Sequence, residues 1–265
     1  VLRTVLVLVA VLVAGCGWDG PPRDVQVVTS ASGRSGPVAV PSAGGPERSG
    51  ADATIGADAG GSSSADGRAS TGLEDRPGTF GALDVPANVA VVGDSLTVAA
   101  SDEITASLTR VGVRAVIVDG RESRRMATAS VGLPSGVMAI EDILVEHRPD
   151  LWVVALGTND VGADVGAERF RADLRETLAA IPSDAPLVWV DVWIRDRHDD
   201  VVELNAVLHG ELADRAAPTT IVDWYATGST DGFVTGDGVH LTAAGEERFA
   251  AQITDAVVAL SVSGG

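Results

Sequence analysis

Asn88-Val-Ala-Val-Val-Gly-Asp-Ser-Leu-Thr-Val98 is the stretch whose reading decides the fold. Residues 89–92 are a short apolar, β-rich run that reads as a buried strand. Gly93 interrupts it, Asp94 and Ser95 follow, and residues 96–110 read as a helix. Ser95 therefore sits on a strand-to-helix turn at the carboxyl edge of a sheet, where open α/β folds assemble their sites. It also lies beside the free N–H groups of a helix N-terminus, which favour developing negative charge. Two roles suit a serine there: a nucleophile, or an N-cap.

Toward the N-terminus, residues 4–14 are almost wholly apolar but too short to span a bilayer, which needs about 20 residues. With Arg3 before them and small residues after them, they read as a secretory signal. The ending Val13-Ala14-Gly15-Cys16 resembles a bacterial lipoprotein signal. That resemblance implies removal of residues 1–15, a diacylglyceryl group on the Cys16 sulfur, and an extracytoplasmic chain anchored to the membrane. Several acyl chains, at about 0.8 kcal/mol per buried CH₂, give stable anchoring. Cys16 is the only cysteine, so no intrachain disulfide is possible. Residues 16–85 are rich in Gly, Ser, Ala, Pro and Asp and lack apolar periodicity. They read as a disordered tether with an end-to-end distance of roughly 45 Å.

From residue 86 the composition changes. Apolar runs recur at 89–92, 113–118, 151–156, 187–192 and 220–222, near-continuous as in parallel strands covered on both faces. Between them, helical spacing groups Val137, Ile140 and Leu144; Phe170, Leu174, Leu178 and Ile181; Val201, Leu204, Leu208 and Leu212; and Phe249, Ile253, Val257 and Leu260. Strict alternation of strand and helix predicts one doubly wound α/β domain over residues 86–262, with five parallel strands. The net charge of −18 argues against nucleic-acid binding, which needs a basic face.

Three loops follow strands at one edge of this sheet: Gly93-Asp94-Ser95-Leu96, Gly157-Thr158-Asn159-Asp160, and Asp237-Gly238-Val239-His240-Leu241-Thr242 ahead of the last helix. A serine needs a base to take its proton. His240 suits that role by its intrinsic acidity, and Asp237, three residues earlier, can fix its tautomer.

The three blocks, in this order and spacing, resemble the SGNH, or GDSL, hydrolase superfamily over residues 86–260. Asp223-Trp224 and Asn205 resemble the branch found as domains attached to cell-envelope acyltransferases. The resemblance implies a flavodoxin-like SGNH hydrolase fold, a Ser95–His240–Asp237 triad, and an oxyanion hole of the Ser95 N–H, the Asn159 amide and a backbone N–H after the second strand. Each such donor is worth about 3 kcal/mol. The second loop, Asp119-Gly120-Arg121-Glu122-Ser123-Arg124-Arg125, departs from the family pattern, which places its glycine several residues beyond the strand. Gly120 is early, so Ser123 is favoured as donor, with Gly120 the alternative.

The same residues have plainer readings. His240 can cap or pack, and Asn159 and Asp160 can be turn residues. Asp94 reads as a loop-stabilising acceptor. Arg121, Arg124 and Arg125 read as a solvated loop, His147, His198 and His209 as surface or packing residues, and Trp152, Trp189 and Trp193 as core or pocket wall. No metal-ligand spacing appears and no cofactor is implied. The reading as a whole is an extracytoplasmic serine esterase removing a short acyl group, such as acetyl, from a cell-envelope glycan or small polar ester. The rivals are an O-acyltransferase on the same site and a catalytically silent wall-binding module.

Overall fold

A computed structural model describes residues 25–29 and 85–263, positions 131 and 164 excepted. The signal sequence, Cys16 and most of the expected tether lie outside the described residues.

The strands are β1 (Val25–Thr29), β2 (Asn88–Gly93), β3 (Ala115–Gly120), β4 (Leu151–Ala155), β5 (Leu187–Val190) and β6 (Thr219–Val222). They form one sheet in the order β1-β3-β2-β4-β5-β6. The five strands from β2 to β6 are parallel, as expected. β1 is a sixth, antiparallel strand on the edge of β3, in a stretch read from sequence as tether. Four of its five residues are β-branched, the composition that suits a pleated strand.

The helices are α1 (Ser95–Ala99), α2 (Ser101–Arg110), α3 (Gly136–Glu146), α4 (Thr158–Gly162), α5 (Ala167–Ala180), α6 (His198–Ala213), α7 (Trp224–Gly228) and α8 (Ala243–Ser263). The expected helix over 96–110 is broken at Ala100, which closes α1 with its N–H on the Leu96 carbonyl. α4 and α7 are single turns too short to leave a periodic pattern.

Side chains of β2 alternate between the two faces, as the pleat requires. Val89 and Val91 pack with Ile104 and Leu108 of α2 and Phe249, Ile253 and Val257 of α8. Ala90 and Val92 pack with Ile140 of α3, Phe170 and Leu174 of α5 and Leu204 and Leu208 of α6. The winding reverses between β2 and β4, so the loops after these two strands flank the switch point where such sheets bind ligands. Of the expected helix faces, Val137, Leu144, Leu178 and Leu260 are only half-buried.

Candidate active site

Ser95 is the half-buried first residue of α1. The N-cap is its neighbour: Asp94 Oδ1 accepts from the Leu96 N–H at 3.0 Å. The Ser95 hydroxyl is thus spared the capping task. Asp94 is 1% exposed. Burial pushes its carboxyl up to about 6, against the Leu96 N–H, the Thr158 hydroxyl and the charge of His240, all of which favour the ionised form.

Asn159 joins the loops after β2, β3 and β4. Its Nδ2 donates to Asp94 Oδ2 at 3.3 Å and to the Arg124 carbonyl at 3.1 Å. Asp160, beside it, is fully buried. It accepts from Arg125 Nε at 3.2 Å and the Met126 N–H at 3.1 Å, and burial raises its carboxyl to about 6. Asp160 therefore anchors the second loop from within α4.

Of the three arginines read as a solvated loop, Arg121 and Arg125 are half-exposed and Arg124 is buried. Arg124 is 1% exposed and pairs with the Asp119 carboxylate at 2.7 Å, while its other terminal nitrogen donates to the Gly93 and Asp119 carbonyls. Arg125 lies near Asp160 and Asp173. Three carboxylates and two carbonyls converge below the loop, and the guanidinium forks of Arg124 and Arg125 meet them. Ser123 is exposed and holds φ at 60°, alone in positive φ among the described non-glycine residues. Gly120 is the last residue of β3, paired with Gly93. A Cβ there would lie 2.8 Å from the Val98 nitrogen, so its lack of a side chain lets α1 approach the sheet.

His240 Nδ1 meets Asp237 Oδ2 at 2.7 Å. Oδ1 of the same carboxylate accepts from the Val239 and His240 N–H groups at 2.9 and 3.0 Å and from the Thr235 hydroxyl at 2.8 Å. The His240 bond first, then these donors, hold the Asp237 carboxyl well below its usual range. With Nδ1 engaged, Nε2 is the nitrogen left for proton transfer. His240 is not the cap of α8; Thr242 is, accepting from the Gly245 N–H at 3.1 Å. Gly238 takes φ at 75°, and a Cβ would meet that of Arg195 at 2.5 Å, so the turn bearing His240 packs directly on the loop after β5. Arg195 ties it there, its N–H donating to the Gly238 carbonyl at 3.1 Å.

Sequence reasoning missed the partners behind β5. Asp191 is buried, meets His209 at 3.2 Å and accepts from the Tyr225 N–H at 2.7 Å. His198 meets the Tyr225 hydroxyl at 3.1 Å. Both histidines thus have specific partners, which no local spacing links. Asn205 brackets Val192, accepting from its N–H at 3.0 Å and donating to its carbonyl at 2.8 Å. Trp152 and Trp189 are core, and Trp193 stands edge-on to Tyr225 with ring centres 5.6 Å apart. Among the described residues no cluster of three His, Cys, Asp or Glu could hold a metal ion, and no helix is long and apolar enough to cross a membrane.

No protein-family model and no curated protein matches the chain. Solved structures do. TesA is 18% identical at a TM-score of 0.53, over 65% of this chain and 99% of that one. The C-terminal catalytic domain of Streptococcus pneumoniae peptidoglycan O-acetyltransferase A is 19% identical at 0.52, over 67% and 96%. A carbohydrate esterase of family 3 from Talaromyces cellulolyticus is 19% identical at 0.52, over 67% and 99%. A GDSL-like lipase from Bacteroides thetaiotaomicron is 17% identical at 0.51, over 64% and 87%. Likeness at such identities establishes architecture, and with the strand order and helical layers above it shows that this chain has the α/β fold of the SGNH, or GDSL, hydrolases.

Proposed function

We propose that the chain is an SGNH-type serine esterase acting on short acyl esters, acetyl among them, of a cell-envelope glycan or similar polar alcohol. The observation that carries this reading is the 2.7 Å Asp237–His240 pair, with Nε2 of the imidazole left for proton transfer. Ser95 Oγ attacks the ester carbonyl carbon while His240 Nε2 takes its proton. Asp237 holds the imidazole and stabilises the imidazolium. The collapsing tetrahedral adduct releases the alcohol, which receives the proton from His240. Water, deprotonated by the same histidine, then frees the acid and restores Ser95.

The oxyanion is held by the Ser95 N–H, Asn159 Nδ2 and the Ser123 N–H, with Gly120 the alternative to Ser123. Both Asn159 amide hydrogens already have acceptors, so it shares or exchanges one as the oxyanion forms. The positive φ at Ser123 supports the choice, because it is a conformation that glycine adopts freely and serine rarely. Residues 1–15 are the signal, and lipidated Cys16 anchors the mature chain outside the cytoplasm.

Transfer of the acyl group to another alcohol uses the same site, and the likeness to a peptidoglycan O-acetyltransferase domain favours keeping it as the second reading. Hydrolysis of p-nitrophenyl acetate, abolished in Ser95→Ala, tests the enzyme against a silent module. Acid released from purified envelope glycan, against acyl group recovered on an added acceptor sugar, separates hydrolysis from transfer.

A further inference from the structure

β1 changes where an anchor at Cys16 would hold the domain. It runs antiparallel to β3, with Val25 opposite Asp119 and Thr29 opposite Ala115. The candidate active site lies at the carboxyl edge of the parallel strands, and Asp119 is at that edge, two residues before Arg121 opens the second loop. The N-terminal end of β1 is therefore beside the site. Only residues 17–24 separate Val25 from Cys16, which limits the distance to about 30 Å even fully extended. At the opposite edge, Ala115 is paired with both Thr29 and Asn88. The chain between those two residues starts and ends within about 10 Å, two strand spacings, so its length adds no reach.

We propose that the catalytic edge of the sheet faces the membrane surface, so that the site acts on acyl esters carried within about 40 Å of the bilayer, the extended lead plus two strand spacings, rather than on the distant wall. This rests on the lipid-anchor reading of Cys16. β1 replaces a 45 Å tether, which would leave the domain unoriented, with a short lead that joins it at one edge, on the order of 45 Å being the reach of the whole segment as a free coil.

The test uses the full-length lipidated protein in vesicles containing a lipid-bound quencher. Because Cys16 is the only native cysteine, an introduced thiol can be labelled uniquely once the Cys16 sulfur carries its diacylglyceryl group. Glu122→Cys reports the catalytic edge and Ser183→Cys the opposite edge, both at exposed positions. The Glu122→Cys label is expected to be quenched severalfold more than the Ser183→Cys label. In a Val27→Pro, Val28→Pro double variant that difference should vanish, because adjacent residues of an edge strand donate alternately and one proline must remove a ladder bond. Equal quenching in the parent chain, or stronger quenching at position 183, overturns the orientation while leaving the anchor intact. A thiol label on Cys16 itself, with the protein free of the vesicles, overturns the anchor reading and the orientation with it.

Discussion

Asp94 accepts two hydrogen bonds that tie the proposed nucleophile to the proposed oxyanion donor: the Leu96 N–H at 3.0 Å on Oδ1 and Asn159 Nδ2 at 3.3 Å on Oδ2. One buried carboxylate thereby caps the helix that begins at Ser95 and sets which way the Asn159 amide faces.

Asp94→Asn should therefore mimic loss of Asn159. The new amide still caps Leu96 through its oxygen but turns an NH₂ toward Asn159 Nδ2. Donor then faces donor, and Asn159 must turn its oxygen inward. We expect kcat on p-nitrophenyl acetate to fall about 10²–10³-fold, as for Asn159→Ala. An Asp94→Asn enzyme with parental kcat would show that Asp94 does not orient the amide.

The same substitution should change the pH dependence of stability. Asp94 has a folded-state pKa near 6 against an ordinary 3.8. The folded chain thus holds an extra proton between those values, and the stability this confers is full below 3.8 and lost as pH rises through 6. Asparagine has no such loss. From about pH 3.5 to about pH 7.5, urea denaturation should show Asp94→Asn gaining about 3 kcal/mol relative to the parent chain.

Asp237→Asn should keep the fold, being half-exposed, and lose about 10⁴ in kcat through the wrong imidazole tautomer. Near-parental turnover by Asp237→Asn would make the aspartate a loop residue only.

Ser123 is best probed by glycine and valine, because its φ of 60° excludes proline on steric grounds whatever its N–H does. Ser123→Gly keeps the N–H and relieves the αL conformation, so kcat should hold and stability rise by about 0.5–1 kcal/mol. Ser123→Val drives the backbone out of αL and should lower kcat at least about tenfold if its N–H holds the oxyanion. A well-folded, fully active Ser123→Val would move the donor elsewhere, with Gly120 next.

Arg124→Met should destabilise the domain by about 3–5 kcal/mol, because it leaves Asp119 without its buried partner. Arg124→Lys should recover little, since one ammonium cannot reach the carboxylate and the Gly93 carbonyl in the geometry of a guanidinium fork. Thermal melts of the two variants, expected close together and far below the parent, check this.

Alternating apolar runs and helical faces were enough to specify five parallel strands and their order of appearance, because each run must bury both its faces or one stripe to fold at all. The loops carrying Ser95, Asn159 and the Asp237–His240 pair were legible for a related reason: strand ends and helix starts leave signatures within a few residues, and Asp237 and His240 are three positions apart. What the sequence did not disclose depends on partners far apart in the chain. The burial of Arg124 needs Gly93, 31 residues away, and the Asp191–His209 and His198–Tyr225 pairs form only when β5, α6 and α7 meet. Asp94, not Ser95, proved to be the cap, because a carboxylate at that turn outcompetes a hydroxyl one position later. β1 was hidden inside a Gly- and Ser-rich stretch, since five residues cannot announce a strand until an open sheet edge supplies the other half of the ladder.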